Sequence, residues 1–191
     1  MTYSLGFAVL WSAWMVSWAM GAMWASKPAA RPAAGQERFY WLLTLAGAVL
    51  LMVNFSNGTR QMVWTDPDWL EWTLLVIAAL GLGFTWWARI YLGTLWSGRI
   101  TRKADHHIID TGPYGLVRHP IYTGILAAIY ATALLRPGLF GISGAVLLTI
   151  SFVIKARLEE RFLMQELGAE AYAGYRARVP MLVPFWPMPS K

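Results

Sequence analysis

Five stretches of the chain lack Asp, Glu, Lys and Arg and consist largely of apolar residues. They cover residues 1–26, 39–59, 72–88, 119–135 and 137–154. A helix that crosses a bilayer needs about 20 mostly apolar residues, with about 17 as the lower limit. The pattern therefore predicts an all-α, polytopic membrane protein with about five transmembrane helices. We expect the first stretch to be a retained anchor, because no small-x-small cleavage site directly follows it.

Basic residues are concentrated in alternate connecting segments. The 27–38 link, the 89–118 link and the tail from residue 155 hold 14 of the 16 Lys and Arg residues. Lys and Arg are retained on the cytoplasmic side of a membrane. We therefore expect a multi-pass protein of the inner (cytoplasmic) membrane, with its amino terminus outside and its carboxyl terminus in the cytoplasm.

Composition narrows the function classes. The 191 residues are 57% hydrophobic and 14% charged and include no Cys, which excludes disulfides, thiolate metal sites and cysteine nucleophiles. The net charge of +6 follows from the cytoplasmic segments, so we expect the lipid bilayer as partner and no nucleic acid. We expect one membrane domain over residues 1–191, with three transmembrane helices in 1–88 and the chemistry in 89–191.

Tryptophan occurs in two arrangements. Trp11, Trp14 and Trp18 form a stripe at helical spacing in the first stretch, which favours helix packing over a ligand-stacking platform. The others near the ends of the stretches are expected to anchor the helices at the headgroup level; they are Trp24, Trp41, Trp69, Trp72, Trp86 and Trp87.

The first segment that suggests chemistry runs from His106 to Tyr122. Pro120 is expected to start the fourth transmembrane helix with His119 as its cap, because proline is favoured at the first helical position. The free backbone N–H groups of that turn, with Arg118 beside them, would form an anion site, and Tyr122 lies on the same face. In the alternative interpretation Arg118 meets lipid phosphate, His119 only caps the helix and Tyr122 is an interfacial aromatic.

The second segment is at the inner end of the fifth helix, over residues 155–163. Glu159 and Glu160 continue a membrane helix, where acidic side chains usually face a partner or a water-filled cavity. The alternative is a pair of helix-surface ion pairs, Lys155 with Glu159 and Arg157 with Glu160. We expect the helix to end at Gly168, and a short helix and the tail to return along the surface. Together the two segments suit a zwitterionic ligand with an amino acid end.

The residues of these segments resemble a known superfamily. The order of motifs is that of the isoprenylcysteine carboxyl methyltransferase and phospholipid methyltransferase superfamily of integral membrane enzymes, over about residues 92–186. The matching residues are Gly112-Pro113-Tyr114, Arg118-His119-Pro120, Tyr122, Glu159-Glu160, Gly168, Tyr172, Tyr175, Arg178-Val179-Pro180 and Pro184.

The resemblance implies S-adenosylmethionine as methyl donor, in a cytoplasmic pocket formed by the 89–118 loop and the carboxyl-terminal helix and tail. It also implies an acceptor contact at the basic residue before the acidic pair, which is Lys155 here, with Arg157 close by. The implied cofactor-binding residues are His106, His107, Ile108, Ile109, Tyr114, His119, Pro120, Ile121, Tyr122 and Glu159. The candidate catalytic residues are Arg118, Lys155, Glu159 and Glu160.

The expected function is methyl transfer to a lipophilic or lipid-linked acceptor at the cytoplasmic face, as in the carboxyl O-methyltransferases. Alternatives are N-methylation of phospholipid headgroups, S-methylation of a small thiol, and a non-enzymatic membrane assembly module. A carboxylate or thiolate arrives charged, whereas an amine needs a base, for which Glu159 or Glu160 is a candidate. A metal site of His106, His107 and His119 is disfavoured, because adjacent histidines rarely converge on one ion. We expect none.

Overall fold

Seven helices account for nearly all of the described chain. The computed structural model describes residues 2–23, 37–56, 67–93, 109–135, 138–167 and 169–186. The helices are α1 (Thr2–Ala22), α2 (Arg38–Ser56), α3 (Asp68–Leu92), α4 (Pro113–Leu116), α5 (Pro120–Leu135), α6 (Leu139–Leu167) and α7 (Ala169–Arg178). No strand occurs in these ranges, and the prediction of an all-α protein is confirmed.

The five charge-free stretches correspond to α1, α2, α3, α5 and α6. Three helices are long and apolar enough to cross a bilayer, over Ser4–Ala22, Asp68–Leu92 and Leu139–Gln165. The other two, Arg38–Asn54 and Pro120–Leu135, are shorter apolar helices. The chain is thus a multi-pass membrane protein by helix length and composition.

Helices α3 and α6 extend by several residues past the charge-free stretches that predicted them. Helix α3 has Asp68 and Glu71 in its first turn and Arg89 in its last turn, which is the charge placement that the helix dipole favours. Helix α6 continues to Leu167 through the segment 155–166, in which half of the residues are charged. Charges at helix ends cap or continue a helix, so a charge-free run underestimates its length.

Close helix crossings at glycine hold the bundle together. A Cβ atom added at Gly81 of α3 would lie 2.6 Å from the carbonyl oxygen of Gly124 in α5. A Cβ atom added at Gly144 of α6 would lie 2.7 Å from the carbonyl oxygen of Gly47 in α2. Helices in a membrane gain most of their association energy from such close packing, so α3–α5 and α2–α6 form two tight pairs.

The tryptophan stripe of α1 packs against the rest of the bundle. Trp11 Nε1 donates to Thr132 Oγ1 of α5 at 2.9 Å, and Trp14 Nε1 donates to Thr85 Oγ1 of α3 at 2.8 Å. The rings of Trp14 and Trp18 stack with centroids 4.8 Å apart. These contacts support helix packing as the role of the stripe. Trp24 lies outside the described residues.

Candidate functional site

The amino end of α5 and the distal part of α6 bring the two predicted segments together. Glu160 of α6 is 3% exposed. Its Oε1 accepts a hydrogen bond from Arg118 Nε at 2.7 Å, and His119 Nε2 lies 3.1 Å from the same oxygen. The other carboxylate oxygen lies 3.6 Å from Arg176 Nε of α7. A buried carboxylate is tolerated in this place because three cationic or hydrogen-bonding partners surround it.

Arg118 also holds the carboxyl-terminal tail. Its Nη1 donates to the carbonyl oxygens of Arg176, at 3.3 Å, and of Val179. The planar guanidinium thus bridges one carboxylate and two carbonyls, an arrangement that its fixed fork of donors suits. The anion partner of Arg118 in this structure is therefore a carboxylate of the protein itself, from a residue 42 positions along the chain.

The backbone amides before α5 are occupied in a way that the sequence pattern did not predict. Arg118 N donates to the Pro180 carbonyl at 2.8 Å, and His119 N donates to the Met181 carbonyl at 3.1 Å. These two amides precede the first turn of α5, whose N–H groups are the expected anion site, and the returning tail takes them. The carbonyl of His119 does accept the first α5 bond, from Thr123 N at 3.0 Å, while its ring turns towards α6.

Glu159 is the more accessible of the two carboxylates. Tyr122 OH donates to Glu159 Oε1 at 2.6 Å, and His119 Nδ1 lies 3.6 Å from Glu159 Oε2. The rings of His119 and Tyr122 stack with centroids 5.4 Å apart and an interplanar angle of 3°. The side chain of Glu159 remains 18% exposed, against 4% for Glu160. Both carboxylates thus lie beside the His119 ring, and they differ in their other partners, which are Tyr122 for Glu159 and the two arginines for Glu160.

Lys155 lies one turn before Glu159 on α6. Its Nζ lies 5.2 Å from the centroid of the Tyr122 ring and 5.9 Å from that of Tyr40 in α2. An ammonium at this distance is attracted by the negative face of an aromatic ring. Arg157, the other basic candidate, is exposed. Of the two, Lys155 is therefore the one that lies beside the site.

Six of the candidate site residues lie within the range that a family model matches. The sequence profile of the isoprenylcysteine carboxyl methyltransferase family matches residues 72–165, a range that begins in α3 and includes Arg118, His119, Tyr122, Lys155, Glu159 and Glu160. Residues 72–165 belong to this methyltransferase family.

Several curated relatives are similar over a longer range. A methanethiol S-methyltransferase from a Pseudomonas species is 36% identical over 160 residues, covering 78% of this chain and 60% of the relative. One from Mycobacterium tuberculosis is 30% identical over 155 residues, 78% of this chain and 58% of the relative. The protein-S-isoprenylcysteine O-methyltransferase B of Arabidopsis thaliana is 33% identical over 88 residues, 46% of this chain and 44% of the relative. The chain thus spans at most about 60% of the length of these relatives.

Helix α7 and the tail, which follow the family-matched range, close one side of the site. Tyr175 OH donates to the carbonyl of Tyr114 in α4 at 2.8 Å. Arg178 Nη2 donates to Asp110 Oδ2 at 3.1 Å, and Thr123 Oγ1 donates to the Leu182 carbonyl at 2.6 Å. Burial raises the pKa of the Tyr114, Tyr172 and Tyr175 hydroxyls, so these residues remain neutral donors at physiological pH.

Six of the predicted site residues lie together in the structure, and three others lie outside the described residues. The structure brings together Arg118, His119, Tyr122, Lys155, Glu159 and Glu160. Pro120 and Tyr114 are buried nearby, Ile109 and Ile121 are half-buried, and His106, His107 and Ile108 lie outside the described residues.

Sequence reasoning did not include three residues of the site. Arg176 pairs with Glu160, Phe152 packs its ring 5.0 Å from that of Tyr122, and Tyr40 faces Lys155. The spacing of Tyr172, Tyr175 and Val179 at i, i+3 and i+7 indicates a buried face of α7 and was the available signal for that helix. No local pattern marks Tyr40, because it lies 115 residues away from Lys155.

Proposed function

We propose that this chain is an integral membrane, S-adenosylmethionine-dependent methyltransferase whose acceptor is a thiol. The observation that carries the proposal is the array of Glu159, Glu160, His119, Tyr122 and Arg118 between α5 and α6, inside the family-matched range. The choice of sulfur as acceptor atom rests on the methanethiol S-methyltransferases, which are similar over 78% of this chain.

The residues present fit the amino acid end of S-adenosylmethionine. A carboxylate has about four acceptor positions, and Glu159 uses one of them for Tyr122 while staying partly exposed. Glu159 is therefore suited to bind the ammonium group of the donor. Glu160 and Arg118 hold each other and the tail, so we assign them to positioning. The aromatic and apolar residues Tyr114, Ile109 and Ile121 are candidates for the nucleoside end.

The protein has little covalent chemistry of its own to perform. When bound, S-adenosylmethionine supplies an electrophilic methyl group on a sulfonium. Transfer is an in-line displacement, so the rate depends on aligning donor and acceptor and on excluding water. The Glu160–His119 contact and the His119–Tyr122 stack fix the direction of the Glu159 carboxylate. The returning tail accepts hydrogen bonds from the amides of Arg118 and His119 before α5 and so covers that end of the site.

Donor binding and acceptor choice are tested separately. The purified protein in detergent should be stabilised against heat by S-adenosylhomocysteine. Titration of this stabilisation gives an apparent affinity, which Glu159→Gln should weaken at least tenfold. Glu170→Gln, which alters an exposed carboxylate of α7, is the matched control. Absence of stabilisation in the wild-type protein would refute the donor assignment.

Acceptor choice follows from where a labelled methyl group appears. With methyl-labelled donor, we expect label in a methyl thioether when a small alkanethiol is supplied. A prenylcysteine carboxylate and a phosphatidylethanolamine vesicle are supplied in parallel reactions. Label in the methyl ester, as the Arabidopsis relative's name suggests, or in the headgroup amine would contradict the thiol assignment while leaving the methyltransferase assignment intact.

A further inference from the structure

The tail that follows α7 is apolar and rich in proline. Residues 179–190 include no charged side chain and four prolines, of which Pro180 and Pro184 lie in the described part of the chain. Proline has no backbone N–H group, and an unsatisfied backbone group is costly near hydrocarbon. A segment with this composition therefore loses less free energy than an ordinary loop when it lies against the apolar part of a membrane.

Four consecutive carbonyls of the tail accept hydrogen bonds from groups just before α5 and in its first turn. The pairs are Arg118 Nη1 with Val179, Arg118 N with Pro180, His119 N with Met181, and Thr123 Oγ1 with Leu182. Irregular backbone is tolerated at membrane depth only where the protein itself satisfies its polar groups. The carbonyls of residues 179–182 meet this condition.

Leu182 sets the depth of the tail relative to the helices. Its side chain packs against an apolar cluster of α5 and α6 that includes Leu126 and Leu148. Leu148 belongs to Leu139–Gln165, a helix long and apolar enough to cross a bilayer. Because the Leu182 carbonyl binds Thr123 in the first turn of α5, the residues after Leu182 emerge at the level where α5 starts, beside the apolar surface of the bundle.

A turn after Leu182 directs two aromatic side chains outward. Trp186 N donates to the Val183 carbonyl at 3.3 Å, with Pro184 and Phe185 between them. Phe185 has a φ of 61°, the only positive value at a non-glycine residue in the described ranges, at a turn position that favours glycine. Phe185 is nonetheless 90% exposed, and Trp186 is 63% exposed. Packing within the described protein therefore does little to offset the strain of this conformation.

We propose that this turn, residues 183–186, binds the headgroup region of the lipid bilayer on the side where α5 starts, and that it thereby holds the tail over the site. Trp and Phe side chains favour this level of a membrane. Arg176 and Arg178 lie at the end of α7 with half or more of each side chain exposed, and their charges attract anionic headgroups. Such a contact is independent of the identity of the methyl acceptor.

The chain has no Cys, so a single introduced thiol carries the probe for the first test. Trp186→Cys and Glu170→Cys, which is exposed near the start of α7, are each labelled with the fluorophore nitrobenzoxadiazole and placed in vesicles of phosphatidylcholine and phosphatidylglycerol. Lipids with a nitroxide near the headgroup should quench the probe at position 186 several-fold more than the probe at position 170. Equal quenching at the two positions would overturn the membrane contact.

The second test needs no probe and measures amide hydrogen exchange in the same vesicles. Phe185→Gly keeps the turn, because glycine adopts positive φ freely, but removes the aromatic side chain. Combined with Trp186→Ser, it should speed exchange at the amides of Arg118 and His119 about tenfold, because local opening of the tail exposes them. Trp69→Ser, which removes an exposed ring at the start of α3, is the control and should leave that exchange unchanged. Unchanged exchange in the double variant would overturn the role of the turn in holding the tail.

Discussion

Glu160 is the residue on which most contacts of the site depend. One carboxylate joins the loop before α5, through Arg118 and His119, to α7 through Arg176. The carboxylate and the Arg118 guanidinium are each less than 10% exposed as side chains. Removing one member of such a pair leaves the other as an uncompensated buried charge. We therefore expect Glu160 to act mainly by holding the shape of the site.

Glu160→Gln tests this role. The variant should lose about 3 kcal/mol of unfolding free energy, because breaking a buried ion pair by removing one partner costs that order of energy. Thermal unfolding in detergent measures the change, with the exposed Glu170→Gln as control. A midpoint equal to that of wild type would show that the pair contributes no net stability.

The buried tyrosines next to the tail predict an alkaline limit to stability. Burial raises the pKa of Tyr172 and Tyr175 in the folded protein, whereas in the unfolded chain these hydroxyls ionise near pH 10. Their contribution to stability is therefore complete below about pH 10 and decreases as the pH rises from there towards the folded pKa. Tyr172→Phe should flatten the fall in the unfolding midpoint between pH 10 and 11.5, as followed by thermal scans. The same slope in wild type and variant would contradict this.

Residue types at the site could be predicted from the sequence, but their partners could not. Arg118-His119-Pro120 and Glu159-Glu160 stand out as polar groups that membrane insertion does not need. That Arg118 pairs with Glu160, and not with a ligand anion, depends on the packing of α5 against α6. That Lys155 faces Tyr40 depends on the packing of α2 against α6. Sequence spacing reports contacts within one helix only.

At the scale of the helices, two glycines of α3 differ in whether they contact a neighbouring helix. Gly81 and Gly83 belong to the same helix, α3, but only Gly81 contacts a neighbouring backbone, whereas a Cβ atom at Gly83 meets nothing within 4 Å. A pair of glycines this close in a membrane helix is typical of close helix packing, and the spacing alone does not distinguish Gly81 from Gly83. The structure restricts that role to Gly81.

Two alanine variants test the crossing. Gly81→Ala should lower the unfolding free energy by about 1–3 kcal/mol, because the new methyl group forces α3 and α5 apart. Gly83→Ala should be neutral or stabilise by up to about 1 kcal/mol, because alanine has the higher helix propensity. Thermal unfolding in detergent compares the two. Equal effects would mean that the α3–α5 contact is looser than the structure shows.

Helix existence was easier to predict than helix length. Each charge-free stretch contains a helix, since a bilayer demands continuous apolar backbone-bonded segments. The ends differ because charged residues such as Asp68 and Lys155 continue a helix where its end reaches the interface. Helices α4 and α7 needed other signals, namely the prolines and glycines around residues 112–120 and 168.

For the whole molecule, the lengths and the contacts of the five apolar helices together indicate how many of them cross the bilayer. At 1.5 Å per residue, α5 with 16 residues is about 24 Å long, shorter than the ~30 Å hydrocarbon core. Helix α2 with 19 residues is about 28 Å long. If both cross, the start of α3 faces outside. The helix contacts require that crossing, because Gly6 of α1 lies against Leu75 and Gly21 of α1 lies against Trp86. Helices α1 and α3 therefore run in the same direction, and α2 returns the chain between them.

The absence of cysteine from the chain makes this question directly testable, because a single introduced thiol is the only one present. Asp68→Cys labels the start of α3 and Glu170→Cys labels α7, and both positions are exposed. With five spans and basic residues retained inside, a membrane-impermeant maleimide should label Asp68→Cys in intact cells and Glu170→Cys only after lysis. Protection of both thiols until lysis would contradict the five-span arrangement. Labelling of Glu170→Cys in intact cells would reverse the orientation and place the site between α5 and α6 on the outer face.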